Sequence, residues 1–340
     1  MDIQIISADK LTKEHLSVWS YIQQNNPLLG SPYFSPEYTS IVAEAKGDVL
    51  VAIIKDAGEI VGFFPFEKNS WPIARPVAWQ IADYQTLVLK SGFNFDIREF
   101  VESCNLKIWN FCNMPNTILP EQQFHKLREE PSYIIDVSAG YDSYIEERNL
   151  RSDWIKKTIK MMRKVERDLG EIRFVPQLDD ESVLNLMMRW KSEQYARMNT
   201  YDRFQIDWLK QVVEKVYATR NERFEGMLSA LYIGDQVAGI EFGMRTPSVL
   251  HSWFSIYNQD FYKYSPGMIL QLKIIEYVAS QGMKHIDIGA GTDNYKERVA
   301  NNSITICHGY IEIPSVITTV RNLRNRSMEM LNSVKTLVTA

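Results

Sequence analysis

The chain has 340 residues, of which 45% are hydrophobic and 24% charged. That composition excludes disordered and collagen-like classes and leaves room for two domains of roughly 100–200 residues each. The net charge of −4, from 38 basic and 42 acidic residues, excludes a surface that is basic throughout, so no nucleic-acid partner is expected.

In chain order, residues 50–68 read as a hairpin turning at Asp56-Ala57-Gly58, with a glycine in the second strand at Val61-Gly62. A strand-like stretch at 77–81, a short helix at 95–103 and the strand LKIWNF at 106–111 follow. Residues 150–169 read as one amphipathic helix, because Trp154, Ile155, Ile159, Met162 and Val165 recur at helical spacing before Gly170. Further helices are expected at 180–198 and 206–220. A second hairpin, 228–245, turns at Gly234-Asp235 and carries Ala238-Gly239 in its second strand. A strand at 249–257, a helix at 266–280 and a strand at 285–289 come next. A last helix from Val316 carries Arg321, Arg324 and Arg326. The order hairpin, strand, helix, strand thus occurs twice, with the hairpins about 177 residues apart. This predicts two copies of one α/β unit, divided into residues 1–140 and 141–340. The cysteines Cys104, Cys112 and Cys307 are too few for a disulfide framework, and with the scattered histidines they predict no structural metal. The N-terminal segment lacks the pattern of a signal peptide, and no run approaches the ~20 apolar residues of a membrane span, so a cytoplasmic location is expected.

The stretch Tyr262-Lys-Tyr-Ser-Pro-Gly-Met268 joins a strand to the long helix at 266–280. Ser265 is placed to cap that helix and Pro266 suits its first position. Gly267 allows close approach to the backbone. Exposed N–H groups and the positive end of the helix dipole favour an anion such as a pyrophosphate.

Several stretches in order carry a resemblance. They are the basic residues Lys156, Lys157, Arg163, Lys164 and Arg167 running into Glu166-Arg167-Asp168-Leu169-Gly170; Lys191-Ser192-Glu193-Gln194-Tyr195; Tyr264-Ser265-Pro266-Gly267; Asp287-Ile288-Gly289-Ala290-Gly291; and Tyr295-Lys296. From about residue 153 to 300 the chain resembles the CelD/BcsL-type acetyltransferases of bacterial cellulose and exopolysaccharide synthesis, a branch of the GNAT superfamily. The resemblance implies a tandem GNAT-like α/β (α+β) fold with a V-splayed mixed sheet. It implies acetyl-CoA as cosubstrate in the gap, with the pyrophosphate at Tyr264, Ser265, Gly267, Met268 and Ile269. The first half is similar only in layout. Its equivalent turn reads Ser91-Gly-Phe-Asn-Phe95 before a shorter helix, so it is expected to lack a coenzyme site and to shape the acceptor site instead.

Acyl transfer to an amine requires loss of the amine proton, stabilisation of an oxyanion and protonation of the leaving thiolate. Backbone N–H groups of the strand at 249–257 are candidates for the oxyanion contact. Strand parity sets Glu241 opposite the apolar Ala238, Ile240, Phe242 and Met244. It likewise sets His251, Trp253 and Ser255 opposite Leu250, Phe254 and Ile256. A three-residue turn at 246–248 would pair Gly243 with His251 and Glu241 with Trp253, making Glu241 and His251 diagonal neighbours and candidate bases. Asp287 is a third candidate, to orient a catalytic group or to cap the following glycine loop. Lys191, Gln194, Tyr195, Trp253, Tyr295 and Lys296 are expected to line the acceptor pocket. The basic helix suits an anionic sugar nucleotide or simply a solvated face. The expected reaction is N-acetylation of an amino sugar or sugar-nucleotide precursor by direct transfer. A Fem-type transferase using aminoacyl-tRNA and a non-catalytic nucleotide-binding regulator are the competing readings.

Overall fold

A computed structural model describes residues 1–68, 70–119, 123–291 and 294–321 of the chain. The first half comprises β1 (Asp2–Ser7), α1 (Lys13–Gln24), α2 (Pro36–Lys46), β2 (Val49–Asp56), β3 (Glu59–Lys68), β4 (Ile73–Arg75), β5 (Val88–Leu89), α3 (Ile97–Ser103), β6 (Ile108–Pro115) and β7 (His125–Asp136). After it come α4 (Tyr141–Arg151), α5 (Trp154–Asp168), β8 (Ile172–Val175), α6 (Glu181–Arg197), α7 (Asp207–Ala218), β9 (Glu225–Ile233), β10 (Gln236–Arg245), β11 (Val249–Tyr257), α8 (Pro266–Ser280), β12 (His285–Ala290), α9 (Asn294–Val299) and β13 (Asn302–Glu312). Residues 316–321 are helical, and the rest of the expected C-terminal helix, with Arg324 and Arg326, lies outside the described residues.

The two hairpins share a bulge but differ in their turns. Ala57 and Gly58 both take positive φ (48° and 86°), whereas in the second turn Gly234 does (56°) and Asp235 does not. Each second strand then carries a β-bulge one residue before its glycine. Ile54 pairs with Gly62 and Lys55 with Ile60, which skips Val61. Leu231 pairs with Gly239 and Tyr232 with Val237, which skips Ala238. An extra residue at the same place in both copies bends both strands in the same way.

The strands form one sheet in the order β1-β2-β3-β4-β6-β13-β7-β12-β11-β10-β9-β8, with β5 pairing β3. Read from either edge inward, the order repeats. Its parallel pairs are β4 with β6 and β11 with β12. The centre is an exchange: β7 pairs with β12, and β13 pairs with β6. β7 precedes residue 141 and β13 follows it, and the two pair antiparallel with each other.

Helices cover both faces of the sheet. One core spans both halves, joining Trp19, Tyr38, Val51 and Phe63 to Met187, Val212, Phe242 and Phe254. On the other face, α8 packs with α4, α5 and β12 through Trp154, Val165, Leu270, Ile275 and Ile286. The third core holds Phe64, Phe100 and Trp109 of the first half together with Cys307 and Ile311 of β13.

Three expected elements differ. Residues 77–81 are a turn, not a strand. Ala78 takes φ 50°, and its N–H donates to the buried Glu67 carboxylate at 2.8 Å. The helix expected at 150–169 breaks at Ser152, whose extended φ of −154° ends α4. The short helix begins at Ile97 rather than at Phe95, because Asp96 caps it.

Candidate active site

β11 and β12 pair only from Val249 with His285 to His251 with Asp287. Beyond that point the strands part, and the opening holds a cavity of about 560 Å³. Ser252, Trp253, Ser255 and Tyr257 line one wall, and Ile288, Gly289 and Ala290 line the other. Helix α6 supplies Lys191 and Gln194, and Ser265, Gly267, Met268 and Gln271 come from the start of α8. Tyr295 and Lys296 also line it. Of the expected pocket residues, Tyr195 packs instead toward Phe204, at 6.4 Å between ring centroids.

The expected register between β10 and β11 is corrected. Thr246 N–H donates to Val249 O across a two-residue turn, which sets Met244 opposite His251 and Gly243 opposite Ser252. A bulge then skips Trp253, so Phe242 meets Phe254 and Glu241 meets Ser255. The bulge also reverses side-chain direction along β11. Leu250 joins the α8 core, while Phe254 and Ile256 join the α6–α7 core. Glu241 and His251, expected side by side, therefore stand on opposite faces of the sheet.

Both are buried behind the cavity wall. Glu241 is 1% exposed and accepts a hydrogen bond from Ser252 Oγ, a cavity-lining group. Burial pushes its carboxyl up to about 7, against the pull of Ser252, Ser255, Lys191 and His251. His251 is wholly buried. Its Nε2 lies 2.8 Å from Asp83 Oδ2 and its Nδ1 3.6 Å from Asp287 Oδ1. The second distance exceeds hydrogen-bond reach, so that contact is electrostatic. Burial lowers the imidazole pKa, but the charge of Asp287 and the contacts with Asp83 outweigh it and push His251 up to about 9. Asp287 Oδ1 also accepts Gly289 N–H at 2.8 Å, capping the glycine turn. Lys296 is 8% exposed and donates to Ala290 O at 2.6 Å, so it is a cavity-wall group and not a solvated helix lysine.

Asp83, Ser252 and Gln271 were missed by sequence reasoning. Ser252 is hidden by the bulge. Asp83 lies in the segment misread as leading on from a strand; the polar run Asp83-Tyr84-Gln85-Thr86 between apolar segments is the signal that could have found it.

The start of α8 is open. Ser265 takes the left-handed conformation (φ 50°, ψ 51°), and its side chain makes no cap, contrary to expectation. Met268 and Ile269 N–H turn back to Ser265 O, and Pro266 has no N–H, which leaves the Gly267 N–H. Helix α3 of the first half differs. Asp96 Oδ1 accepts the N–H groups of Arg98 and Glu99 at 2.8 and 3.0 Å, so its own carboxylate occupies the place of an anion.

Ser265 and Met268 are shared with a second groove of about 680 Å³ between α5 and α8. Its floor includes Trp154, Met161 and Ile269, and its rim carries Lys157, Lys160, Arg163, Lys164, Arg167 and Arg298, with no carboxylate among the lining residues. Lys157 pairs with Asp153 at 2.9 Å and Arg167 with Asp168 at 2.8 Å, both outside the groove lining. Lys164 sits over the Tyr264 ring at 5.4 Å, so Tyr264 flanks this groove. The uncapped helix start beside six cations suits an anionic ligand. Among the described residues, no cluster of three or more His, Cys, Asp or Glu could hold a metal ion, and no helix is long and apolar enough to cross a membrane.

Residues 155–297 match the acetyltransferase (GNAT) domain family. No curated protein gives a significant sequence match. The fold is similar to that of FemX, with a TM-score of 0.62 and 9% identity over 92% of this chain and 97% of that one. It is also similar to the C-terminal DUF2156 domain of a protein described as a lysylphosphatidylglycerol synthetase from Agrobacterium fabrum (TM-score 0.57, 11% identity, 88% and 92% coverage). A tandem GNAT protein from the clavulanic acid biosynthesis pathway aligns with a TM-score of 0.50 and 10% identity over 92% of this chain and all of that one. These likenesses concern the fold: the chain has a tandem-GNAT fold, and its residues 155–297 match the acetyltransferase (GNAT) domain.

Proposed function

We propose that the protein transfers an acetyl group from acetyl-CoA to the amine of an amino sugar or sugar nucleotide, as a precursor step in exopolysaccharide or envelope synthesis. The observation that carries this reading is that the cationic groove and the cavity of the splayed sheet adjoin, sharing Ser265 and Met268 in their linings. A cosubstrate with anionic phosphates at one end and a reactive group at the other fits that layout. The start of α8 and the α5 cations would hold its phosphates, and it would supply an acyl thioester to the cavity. The polar wall of Lys191, Gln194, Ser252, Ser255 and Gln271 suits an acceptor rich in hydroxyl groups.

Within the cavity, Ser252 is the group through which a proton can leave. Its hydroxyl donates to Glu241, so it can accept a proton from the acceptor's ammonium group, freeing the amine, while passing its own inward. With its carboxyl pushed up to about 7, Glu241 is matched to a base working near neutral pH. The released amine forms the new C–N bond, the C–S bond breaks, and the amine's second proton goes to the departing sulfur. The edge of β11 beyond His251, unpaired by β12, offers main-chain donors to the oxyanion.

Thiol release from acetyl-CoA in the presence of glucosamine, galactosamine and their nucleotide-linked forms tests the reading, with the amide product checked by mass. Amine-dependent release supports it. Release with no amine of the panel overturns it, and transfer from aminoacyl-tRNA instead would identify a Fem-type donor.

A further inference from the structure

In the second half, β11 runs unbroken for nine residues beside β10. Its counterpart in the first half is in two pieces. β4 pairs with β3 at Glu67 and Lys68, and β5 pairs with the same strand at Gly62 and Phe63. Residues 76–87, which separate the pieces, leave the first half's sheet. They reach the second half's part of the sheet instead: Trp253 Nε1 of β11 donates to Ile81 O at 3.1 Å, and Tyr84 OH contacts Ser132 Oγ of β7, the strand that pairs with β12, at 2.6 Å. Tyr33 OH also donates to Ile81 O, at 3.2 Å, and Asn113 donates to Ala82 O. At the tip, Asp83 enters the wall of the cavity.

We infer that Asp83 is the binding site for the acceptor's ammonium group, so that the first half, which carries its own helix cap in place of a coenzyme site, supplies the recognition of the second substrate. This rests on the amine-acceptor reading above. Four observations carry it. Asp83 is the one carboxylate among the described residues that line the cavity. Its side chain is 42% exposed, so it is open to a ligand while its Oδ2 is fixed at 2.8 Å from His251. The imidazole is clamped between two carboxylates, Asp83 and Asp287. One cation between two anions leaves the trio with a net negative charge, and Asp83 is its member that faces the cavity. Finally, Gly289 beside it takes φ 70° and carries no side chain; the place its Cβ would fill lies 3.6 Å from Asp83 Oδ2 and 3.9 Å from Lys296 Nζ. Tyr33 and Tyr84 pack edge-on against His251 at 4.9 and 5.9 Å, which fixes the ring that fixes the carboxylate. An ammonium held at Asp83 stands in the same cavity as Ser252, the entrance to the proton path.

The experiment compares wild type with Asp83→Asn and Asp83→Glu in acetyl transfer from acetyl-CoA to glucosamine and to each other amine the wild type accepts. Calorimetric titration of acetyl-CoA runs alongside. The asparagine keeps the size of the loop tip but not its charge. We expect KM for the amine to rise at least tenfold in Asp83→Asn, with acetyl-CoA affinity within twofold of wild type and partial recovery of KM in Asp83→Glu. An amine KM in Asp83→Asn within twofold of wild type overturns the inference while leaving the acetyltransferase reading standing. Equal loss of amine and coenzyme binding also overturns it, since that marks a structural role. A wild type inactive toward every amine overturns both.

Discussion

Asp83 and His251 lie 168 positions apart in the chain and meet at 2.8 Å, joining a loop of the first half to the splayed strand of the second. The contact is charged on both sides, since His251 is pushed up to about 9 by its two carboxylate neighbours. A folded-state pKa above the unfolded value near 6.5 gives stability that is complete below about 6.5 and is lost as pH rises through about 9. A shift of that size corresponds to roughly 3 kcal/mol. In urea denaturation, the stability difference between wild type and His251→Gln should therefore shrink by about 2–3 kcal/mol between pH 6 and pH 9.5. A difference independent of pH would mean that the ring is neutral.

In the proposed mechanism Glu241 governs rate. Its ionised form would be the base, so kcat should climb with pH through about 7 and then level. Glu241→Gln should lower single-turnover acetyl transfer about 100-fold or more and abolish the limb near pH 7, with coenzyme affinity unchanged. Ser252→Ala should slow the same step by about tenfold or more, because it removes the hydroxyl through which the carboxylate is reached. A limb that persists in Glu241→Gln would move the base elsewhere.

The hairpins, the strand Val249–Tyr257 and the helix Pro266–Ser280 were legible because each has one clear period and clear stops, and the two hairpins even share their bulge. The exchange of β7 and β13 was not. β7 reads HKLREEPSYIID, and its first residues are exposed, so no buried face imposes an alternating pattern. The placing of Glu241 and His251 as diagonal neighbours on one face failed through a two-residue turn and one skipped residue, neither of which leaves a hydrophobic signature. The start of α8 was placed correctly from Ser-Pro-Gly, but Ser265 proved to be a left-handed residue whose side chain does not cap. The polar run at Asp83 marks that residue locally, but its contact with His251 was out of reach of local patterns, because the partner lies in the other half.

The exchanged strands bear on cooperativity. Removing β13 would unpair β6 and β7 together and strip Cys307 and Ile311 from the first half's core. Residues 1–140 alone should therefore fail to fold, and the full chain should unfold in one denaturant transition with fluorescence and circular dichroism coinciding. Two separated transitions would show that the halves stand independently.

With the coenzyme phosphates placed in the α5 groove as proposed, coenzyme binding should depend on salt. Reversing Lys160 and Arg163 to glutamate should weaken acetyl-CoA binding by about tenfold at low ionic strength, and the gap should narrow as salt screens both proteins. Coenzyme lacking its 3′-phosphate should lose less. Identical affinities in both proteins at low salt would place the phosphates away from α5.

The thioester cosubstrate is proposed to enter by the start of α8. Gly267 lines the cavity there, and a Cβ at this position would touch the Tyr257 ring at 3.4 Å, an ordinary contact, so Gly267→Ala should be tolerated. Glutamate would put a negative charge and a longer chain at the helix start. The deciding measurement is calorimetric titration of acetyl-CoA into wild type, Gly267→Ala and Gly267→Glu. The account predicts binding to the first two and at least a hundredfold loss in the third, with the fold intact by circular dichroism. Acetyl-CoA affinity in Gly267→Glu equal to that of wild type would contradict it.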